Sequence, residues 1–232
     1  MLACAVLAVL FIFVCSLPAY ANELSEREQK QTNLSEEQKL AINKAAYADI
    51  LEEYNGLYDM DMKFTSEAEL AEFKKSGGNI ELISEEEFEK GLLELVALKE
   101  ESDKIKQKFE EEEGISFDSI DWLPMGNIDT TKDVQSKASG RRTVYKGVSG
   151  AAIGLDAGAN NNSGYWRVTP VYGCYCVVAP NYPKYIAKGW YWQPLDSGRT
   201  AAVYLTGSYT NTSYVTTYNV TRYIEYGATQ FA

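Results

Sequence analysis

The sequence predicts an α+β protein in two parts, a mostly helical acidic N-terminal region followed by an all-β antiparallel sandwich or barrel. Residues 22–140 carry 14 Lys and Arg against 30 Asp and Glu, a net charge of −16, whereas residues 141–232 carry 8 against 3, a net charge of +5. The second part also holds 13 of the 17 tyrosines and three of the four tryptophans. Apolar residues recur at helical spacing in the first part only. Two stretches that differ this much are typical of two domains.

The amino terminus predicts a signal peptide over residues 1–21. Leu2 to Val14 has no charge and is almost wholly apolar, which is typical of a signal-peptide core and short for a bilayer span. Small residues at Ala19 and Ala21 place the predicted cut after Ala21, although no basic residue follows Met1. An uncleaved anchor is the alternative. We expect a secreted or cell-surface protein that keeps no membrane span after cleavage.

Residues 22–113 predict an acidic helical or α+β domain. Ser35 with Gln38 forms a capping-box pattern before the first helix, which Asn55-Gly56 is expected to end. Alternating Met, Phe and charged residues predict a short strand over 60–64. The apolar positions expected to face inward from this first helix are Leu40, Tyr47, Leu51, Tyr54 and Tyr58.

Two further helices are predicted in the acidic domain. Ser66 with Glu69 starts one, which Gly77-Gly78 ends, and Ser84 with Glu87 starts a long one that runs to Gly114. The stripe expected to face inward from the long helix is Phe88, Leu92, Leu95, Ser102 and Phe109.

Residues 114–140 predict a linker, because Gly and Pro punctuate a stretch of Thr, Ser, Lys and Asp. The linker ends at Arg141-Arg142. A dibasic pair at an exposed boundary is a candidate processing site, and ordinary surface charge at the start of a strand is the alternative.

Residues 141–232 predict an antiparallel β-domain, since short Thr-, Val- and Tyr-rich runs alternate with turn clusters. The predicted strands are Thr143–Val148, Ala151–Leu155, Tyr165–Tyr172, Cys174–Ala179, Lys184–Trp192, Thr200–Leu205, Ser213–Asn219 and Val220–Tyr226.

The residue types present exclude several kinds of site. The chain has no histidine, so Ser-His-Asp and Cys-His nucleophile systems and imidazole-based zinc sites are excluded. Cys4 and Cys15 leave with the signal, and Cys174 and Cys176 lie on one face of a strand, where a mutual disulfide would be strained. We therefore expect no cofactor, no metal and no disulfide framework, and so little cystine in an exported chain favours a bacterial source.

Three carboxylates, Asp156, Asp196 and Glu225, are the only ones in the basic part. Two of them would form a glycosidase pair if they lay about 5–10 Å apart across one cleft. A glycosidase is therefore one alternative function, although no recognisable catalytic motif accompanies these residues.

Aromatic and basic side chains of the β-domain are the candidate ligand-binding residues. In a strand, Trp190 and Trp192 share one face and Tyr191 takes the other, so one set is expected in the core and the other is a candidate for exposure. Cross-strand aromatic packing is the alternative. Nucleic acid is not an expected ligand of an exported, acidic chain. The candidates are Tyr165, Trp166, Tyr185, Lys188, Trp190, Trp192 and Arg199.

Three stretches carry a resemblance to uncharacterised secreted proteins of Gram-positive bacteria. Residues 84–90 resemble helix starts in those proteins, and residues 164–168 and 197–205 resemble strands of their small β-sandwich domains. The resemblance implies export and a helical region followed by a C-terminal sandwich, and it carries no catalytic residue.

These observations favour a non-enzymatic secreted or cell-surface protein whose β-domain binds an envelope component, a glycan or a protein partner. The first alternative is a proprotein, in which the acidic half is a pro-region for a basic toxin or bacteriocin released near Arg141-Arg142. The opposite charges of the halves also predict that they dock on each other.

Overall fold

The computed structural model describes residues 34–66, 68, 80–126, 141–161, 164–178 and 184–232. The predicted signal peptide with its cut after Ala21, most of the helix predicted after Ser66, and linker residues 127–140 lie outside this part of the chain. The described helices are α1 (Glu36–Tyr58) and α2 (Glu85–Glu113). The described strands are β1 (Lys63–Phe64), β2 (Leu123–Pro124), β3 (Arg141–Val148), β4 (Ala151–Asn160), β5 (Arg167–Val178), β6 (Lys184–Leu195), β7 (Thr200–Thr210) and β8 (Val215–Gly227).

The strands form two antiparallel sheets, so the protein is α+β with a sheet-rich C-terminal part. The larger sheet has the order β1-β8-β7-β6-β2, and the smaller one has the order β3-β4-β5. The described strands form no closed barrel, so the barrel alternative of the sequence prediction is wrong. Neither described helix is long and apolar enough to cross a membrane.

The described residues divide into two compact units. Residues 34–46 and 80–82 form the first, in which Leu40 and Ile80 are buried and Asn43 Nδ2 donates to the carbonyl of Glu81 (2.9 Å). The second contains the other described residues, including α2 and both sheets. The predicted boundary at 114–140 would instead separate α2 from the sheets.

Both described helices begin at the predicted capping boxes. The Ser35 and Gln38 side chains bond each other's backbone N–H groups (2.8 and 3.3 Å), and Ser84 and Glu87 do the same (2.8 and 3.3 Å). Gly114, with φ of 69°, ends α2 as predicted.

The predicted end of α1 at Asn55-Gly56 is wrong. The Asn55 side chain accepts from Met62 N–H (2.8 Å) and donates to its carbonyl (2.9 Å), so it holds the following segment instead of capping the helix. The helix runs on to Tyr58, and the chain turns at Asp59, where φ is 50°.

Six strands replace the eight predicted in residues 141–232. The predicted strands Tyr165–Tyr172 and Cys174–Ala179 fall largely within one strand, β5, and the last two predicted strands form β8. The residues that suggested turns lie within continuous strands, whose ladders contain local register shifts. In β8, Asn219 adopts a left-handed φ of 57° and the ladder continues beyond it.

The β6–β7 and β7–β8 ladders of the larger sheet both have a register shift, and the two shifts lie at adjoining positions. The β6–β7 ladder shifts between Ala187 and Gly189, and the β7–β8 ladder shifts between Gly207 and Tyr209, while Gly207 pairs with Ala187. The strands approach so closely here that a Cβ on Gly207 would lie 2.2 Å from the carbonyl oxygen of Ile186.

Helix α2 contributes directly to the protein core. All five residues of its predicted inward stripe are buried. Four of them belong to hydrophobic clusters that also contain sheet residues, three in one cluster and Phe109 in a second. The fifth, Ser102, accepts a hydrogen bond at Oγ from the backbone N–H of Thr221 in β8 (2.9 Å). Phe109 packs edge-on against Tyr191 and Tyr204, with ring centroids 5.9 and 5.1 Å away.

The segment Leu123–Gly126 contacts both sheets. Leu123 pairs with Trp190 of β6, whose Nε1 donates to the carbonyl of Pro124 (3.1 Å). Gly126 N–H donates to the carbonyl of Cys174 in β5 (2.8 Å). The segment therefore occupies an edge position in the larger sheet while holding a strand of the smaller one.

Candidate functional site

The start of β5 and the turn between β6 and β7 bring together Tyr165, Arg167 and Arg199. We call these residues and Trp166, which lies between the first two in the chain, the Tyr165 cluster. Tyr165 is 40% exposed and Trp166 is 36% exposed. The Arg167 and Arg199 guanidinium carbons lie 4.7 and 5.8 Å from the centre of the Tyr165 ring, within range of cation–π attraction. Arg167 Nη2 also donates to the Tyr165 hydroxyl (2.5 Å). Two of the predicted ligand-binding residues, Tyr165 and Arg199, therefore meet, and a third, Trp166, is exposed next to Tyr165 in the chain.

A tight turn holds Arg199 at this surface. Asp196, Ser197 and Gly198 have φ values of 51, 57 and 88°, a run of left-handed conformations that is uncommon outside glycine. Arg199 Nε donates to the carbonyl of Asp196 (3.1 Å), and the Arg199 carbonyl accepts from Ala228 N–H (2.8 Å). The guanidinium is thus positioned by bonds within its own turn and by the chain after β8.

The two guanidiniums of the Tyr165 cluster have no acidic partner within the described residues. Asp196 is the carboxylate nearest to Arg199 in sequence, and its Oδ2 accepts from the Thr200 hydroxyl (3.4 Å). A guanidinium has five N–H donors, and the described contacts use one on Arg167 and one on Arg199. The cluster therefore combines exposed aromatic rings with uncompensated positive charge.

Three other predicted ligand-binding residues face the core. Tyr185 is fully buried and its hydroxyl donates to the carbonyl of Val220 (3.1 Å), Trp190 is buried, and Trp192 is half-buried against the core. The other face of β6 is covered as well, because Tyr191 packs on Phe109. The structure therefore shows the alternative given for this strand, aromatic packing in the core and across strands, since Tyr191 also packs against its cross-strand partner Tyr204.

Lys188, the remaining predicted residue, belongs to a different surface. It is exposed, and its Nζ lies 5.5 Å from the centre of the Tyr218 ring, which Lys63 Nζ also approaches at 5.6 Å.

The dibasic pair lies at the first two positions of β3. Arg141 Nε lies 3.0 Å from both carboxylate oxygens of Asp156, and its guanidinium carbon lies 4.2 Å from the centre of the Tyr172 ring. Hydrogen bonding to Asp156 raises the pKa of Arg141. Arg142 is exposed, and its Nη1 donates to the carbonyl of Gln230 (3.4 Å). Cleavage here would therefore cut a paired strand.

Each of the three carboxylates considered for a glycosidase pair has its own neighbours. Asp156 is buried and bound by Arg141, and Asp196 is exposed in its turn. Glu225 accepts from the Tyr223 hydroxyl (2.5 Å), and burial together with this bond raises the pKa of Tyr223. A glycosidase function therefore remains a hypothesis drawn from the sequence.

Cys174 and Cys176 are free thiols on β5. Cys174 is buried and Cys176 is half-buried. Burial raises the pKa of Cys174 to about 12 and raises the pKa of Cys176 as well. The described residues contain no group of three Cys, Asp or Glu side chains placed to hold a metal ion.

We expect both thiols to resist alkylation by iodoacetamide at pH 8 in the native protein and to react readily in denaturant. The thiolate is the reactive form, and a raised pKa leaves less of it at a given pH. Mass spectrometry of the peptide that contains both residues measures the labelling. Rapid native labelling of Cys174 would contradict its burial.

A second exposed aromatic surface was not predicted. On the smaller sheet, Tyr145 and Tyr172 are exposed, and the Tyr145 ring lies over Gly154, where a Cβ would come within 2.5 Å of it. The sequence does contain a signal, a tyrosine in β3 and a glycine in β4, but their pairing depends on the register of the hairpin.

Comparisons with protein families, with curated proteins and with solved structures found no match.

Proposed function

We propose that the protein is a secreted or cell-surface binding protein without enzymatic activity, and that it recognises an envelope glycan through the Tyr165 cluster. Export rests on the predicted signal peptide. Recognition rests on one observation, the exposure of Tyr165, which lies beside two guanidiniums, and of the adjacent Trp166.

The aromatic part of the cluster supports a sugar ligand. Tyr and Trp rings combine a large apolar face with a polar edge, and the C–H groups of a sugar ring match such a face. Trp190 and Trp192 lie within the core or against it, whereas Trp166 keeps more than a third of its surface accessible. Exposed aromatic surface that contributes little to the core is typical of an interaction site.

The basic part of the cluster supports orientation of the ligand. Arg167 and Arg199 retain N–H donors that the described contacts do not use. Sugar hydroxyls and acidic groups are acceptors for such donors. Stacking and directed hydrogen bonds together make a specific glycan site.

The geometry does not favour the proprotein alternative. α2 precedes Arg141-Arg142 and buries Phe88, Leu92 and Phe109 in clusters that include sheet residues. Release of a fragment that begins at Thr143 would expose these apolar surfaces.

We expect Trp166→Ala to weaken glycan binding at least about tenfold, since loss of a central aromatic contact commonly has effects of that size. A glycan array with neutral and acidic polysaccharides identifies the ligand, and titration of the best one measures the change. Tyr145→Ala is the matched control, because it removes an exposed aromatic from the smaller sheet and should leave affinity unchanged. Equal affinity of Trp166→Ala and the parent protein would contradict the proposal.

A further inference from the structure

The arginines of the β-rich part fall into distinct environments. Arg141 pairs with Asp156, and Arg222, which is buried, pairs with Glu101 of α2 (2.6 Å). Arg167 and Arg199 have no such partner within the described chain. Within the described residues, Arg141 and Arg222 are paired with carboxylates, whereas Arg167 and Arg199, like the exposed Arg142, are not.

Arg167 and Arg199 both lie beside the same aromatic ring. Both guanidinium carbons lie within 5.8 Å of the centre of Tyr165, so two positive charges share one small surface. Like charges held together repel, and an anion between them removes that repulsion while gaining attraction to both. The carboxylate of Asp196 is bonded to Thr200 in the same turn and forms no ion pair with Arg199.

We infer that the glycan bound at the Tyr165 cluster is acidic, with an anionic oxygen group held by Arg167 and Arg199 while Trp166 stacks on the sugar ring. This inference rests on the proposed function and specifies its ligand. The planar fork of arginine matches the oxygens of carboxylate, sulfate and phosphate groups. The shared chemistry is an oxyanion on a polysaccharide.

The test uses the full chain and three acidic polymers, polygalacturonate, dextran sulfate and a phosphate-bearing teichoic acid, which distinguish the three oxyanions. Fully methyl-esterified polygalacturonate is the matched neutral polymer. We expect at least one acidic polymer to bind at least about tenfold more tightly than the neutral ester, and its binding to weaken as salt is added.

The variant arm removes the two charges. R167Q combined with R199Q should lose at least about tenfold in affinity for the acidic polymer, the size expected for two charge-assisted hydrogen bonds. R142Q combined with K188Q removes the same charge elsewhere in the basic part and should change affinity less than about twofold by screening alone. Thermal melting of each variant verifies folding, and the comparison of polymers on the parent protein does not depend on any variant.

Two failures are distinguishable. Equal binding of acidic and neutral polymers, lost in Trp166→Ala, would overturn the acidic ligand and leave glycan binding standing. No binding to any polysaccharide would overturn both.

Discussion

Gly207→Ala is expected to lower the free energy of unfolding by about 3 kcal/mol, at the upper end of the range for overpacking. The added Cβ would lie 2.2 Å from the carbonyl oxygen of Ile186, a backbone atom on the adjacent strand. A flexible side chain could rotate away, but this atom belongs to the β6–β7 ladder, so the two strands must separate. The ladder is already irregular here, between Ala187 and Gly189.

Urea denaturation followed by circular dichroism measures the Gly207→Ala effect. Gly147→Ala is the matched control, since Gly147 lies in β3 with open space around its Cβ position. Alanine there should leave stability unchanged or slightly higher, because a strand glycine loses more backbone entropy on folding. A Gly207→Ala protein as stable as the parent would show that β6 and β7 are not this close.

Phe109→Ala is expected to cost about 3–5 kcal/mol, the range for truncating a buried phenylalanine. The side chain is fully buried, and its ring packs edge-on against Phe117, with centroids 5.3 Å apart, and against Tyr204, with centroids 5.1 Å apart. Removing it leaves a cavity where α2 meets the larger sheet.

The matched control for Phe109→Ala lies on the same helix. Leu93 is 49% exposed, and Leu93→Ala should change stability by less than about 0.5 kcal/mol. The difference between the two variants in urea unfolding isolates the contribution of packing from that of helix propensity. Near-equal stabilities would mean that the end of α2 is dispensable, and they would restore the proprotein as a competing hypothesis.

Features set by neighbouring residues could be predicted from the sequence. Ser35 and Ser84 reach the backbone three residues ahead within their own chain segments, and the α2 stripe from Phe88 to Phe109 follows from helical periodicity alone. Gly114 could be predicted as a helix end because few other residues adopt its backbone conformation easily.

Features set by distant segments could not be predicted in the same way. Strand alternation puts Trp190 and Tyr191 on opposite faces of β6. It does not reveal that Trp190 contacts the segment 123–126 or that Tyr191 packs against Phe109 of α2. The β8 ladder likewise continues past Asn219 because its partner strand accommodates the irregularity.

The candidate site was predictable in part. Tyr165 and Trp166 stood out by composition and Arg199 by charge, but the meeting of Tyr165 and Arg199 depends on a turn built from three left-handed residues, Asp196 to Gly198. Arg167 was missed because a lone arginine at a strand start carries no signal of its own. Its place in the candidate site is seen only in the structure, where its guanidinium and that of Arg199 both lie near the Tyr165 ring.

The position of β8 has a consequence for how the chain folds. This strand lies between β1 and β7, and Thr65 Oγ1 donates to the carbonyl of Tyr214, which is 149 positions later (2.8 Å). The N–H of Thr221 bonds Ser102 over 119 positions. Contacts so distant in sequence give slow folding, on a timescale of about milliseconds to seconds, because the loops must close before the contacts form. β1 and α2 therefore keep apolar surface exposed until residues 215–227 are available to pair and pack with them.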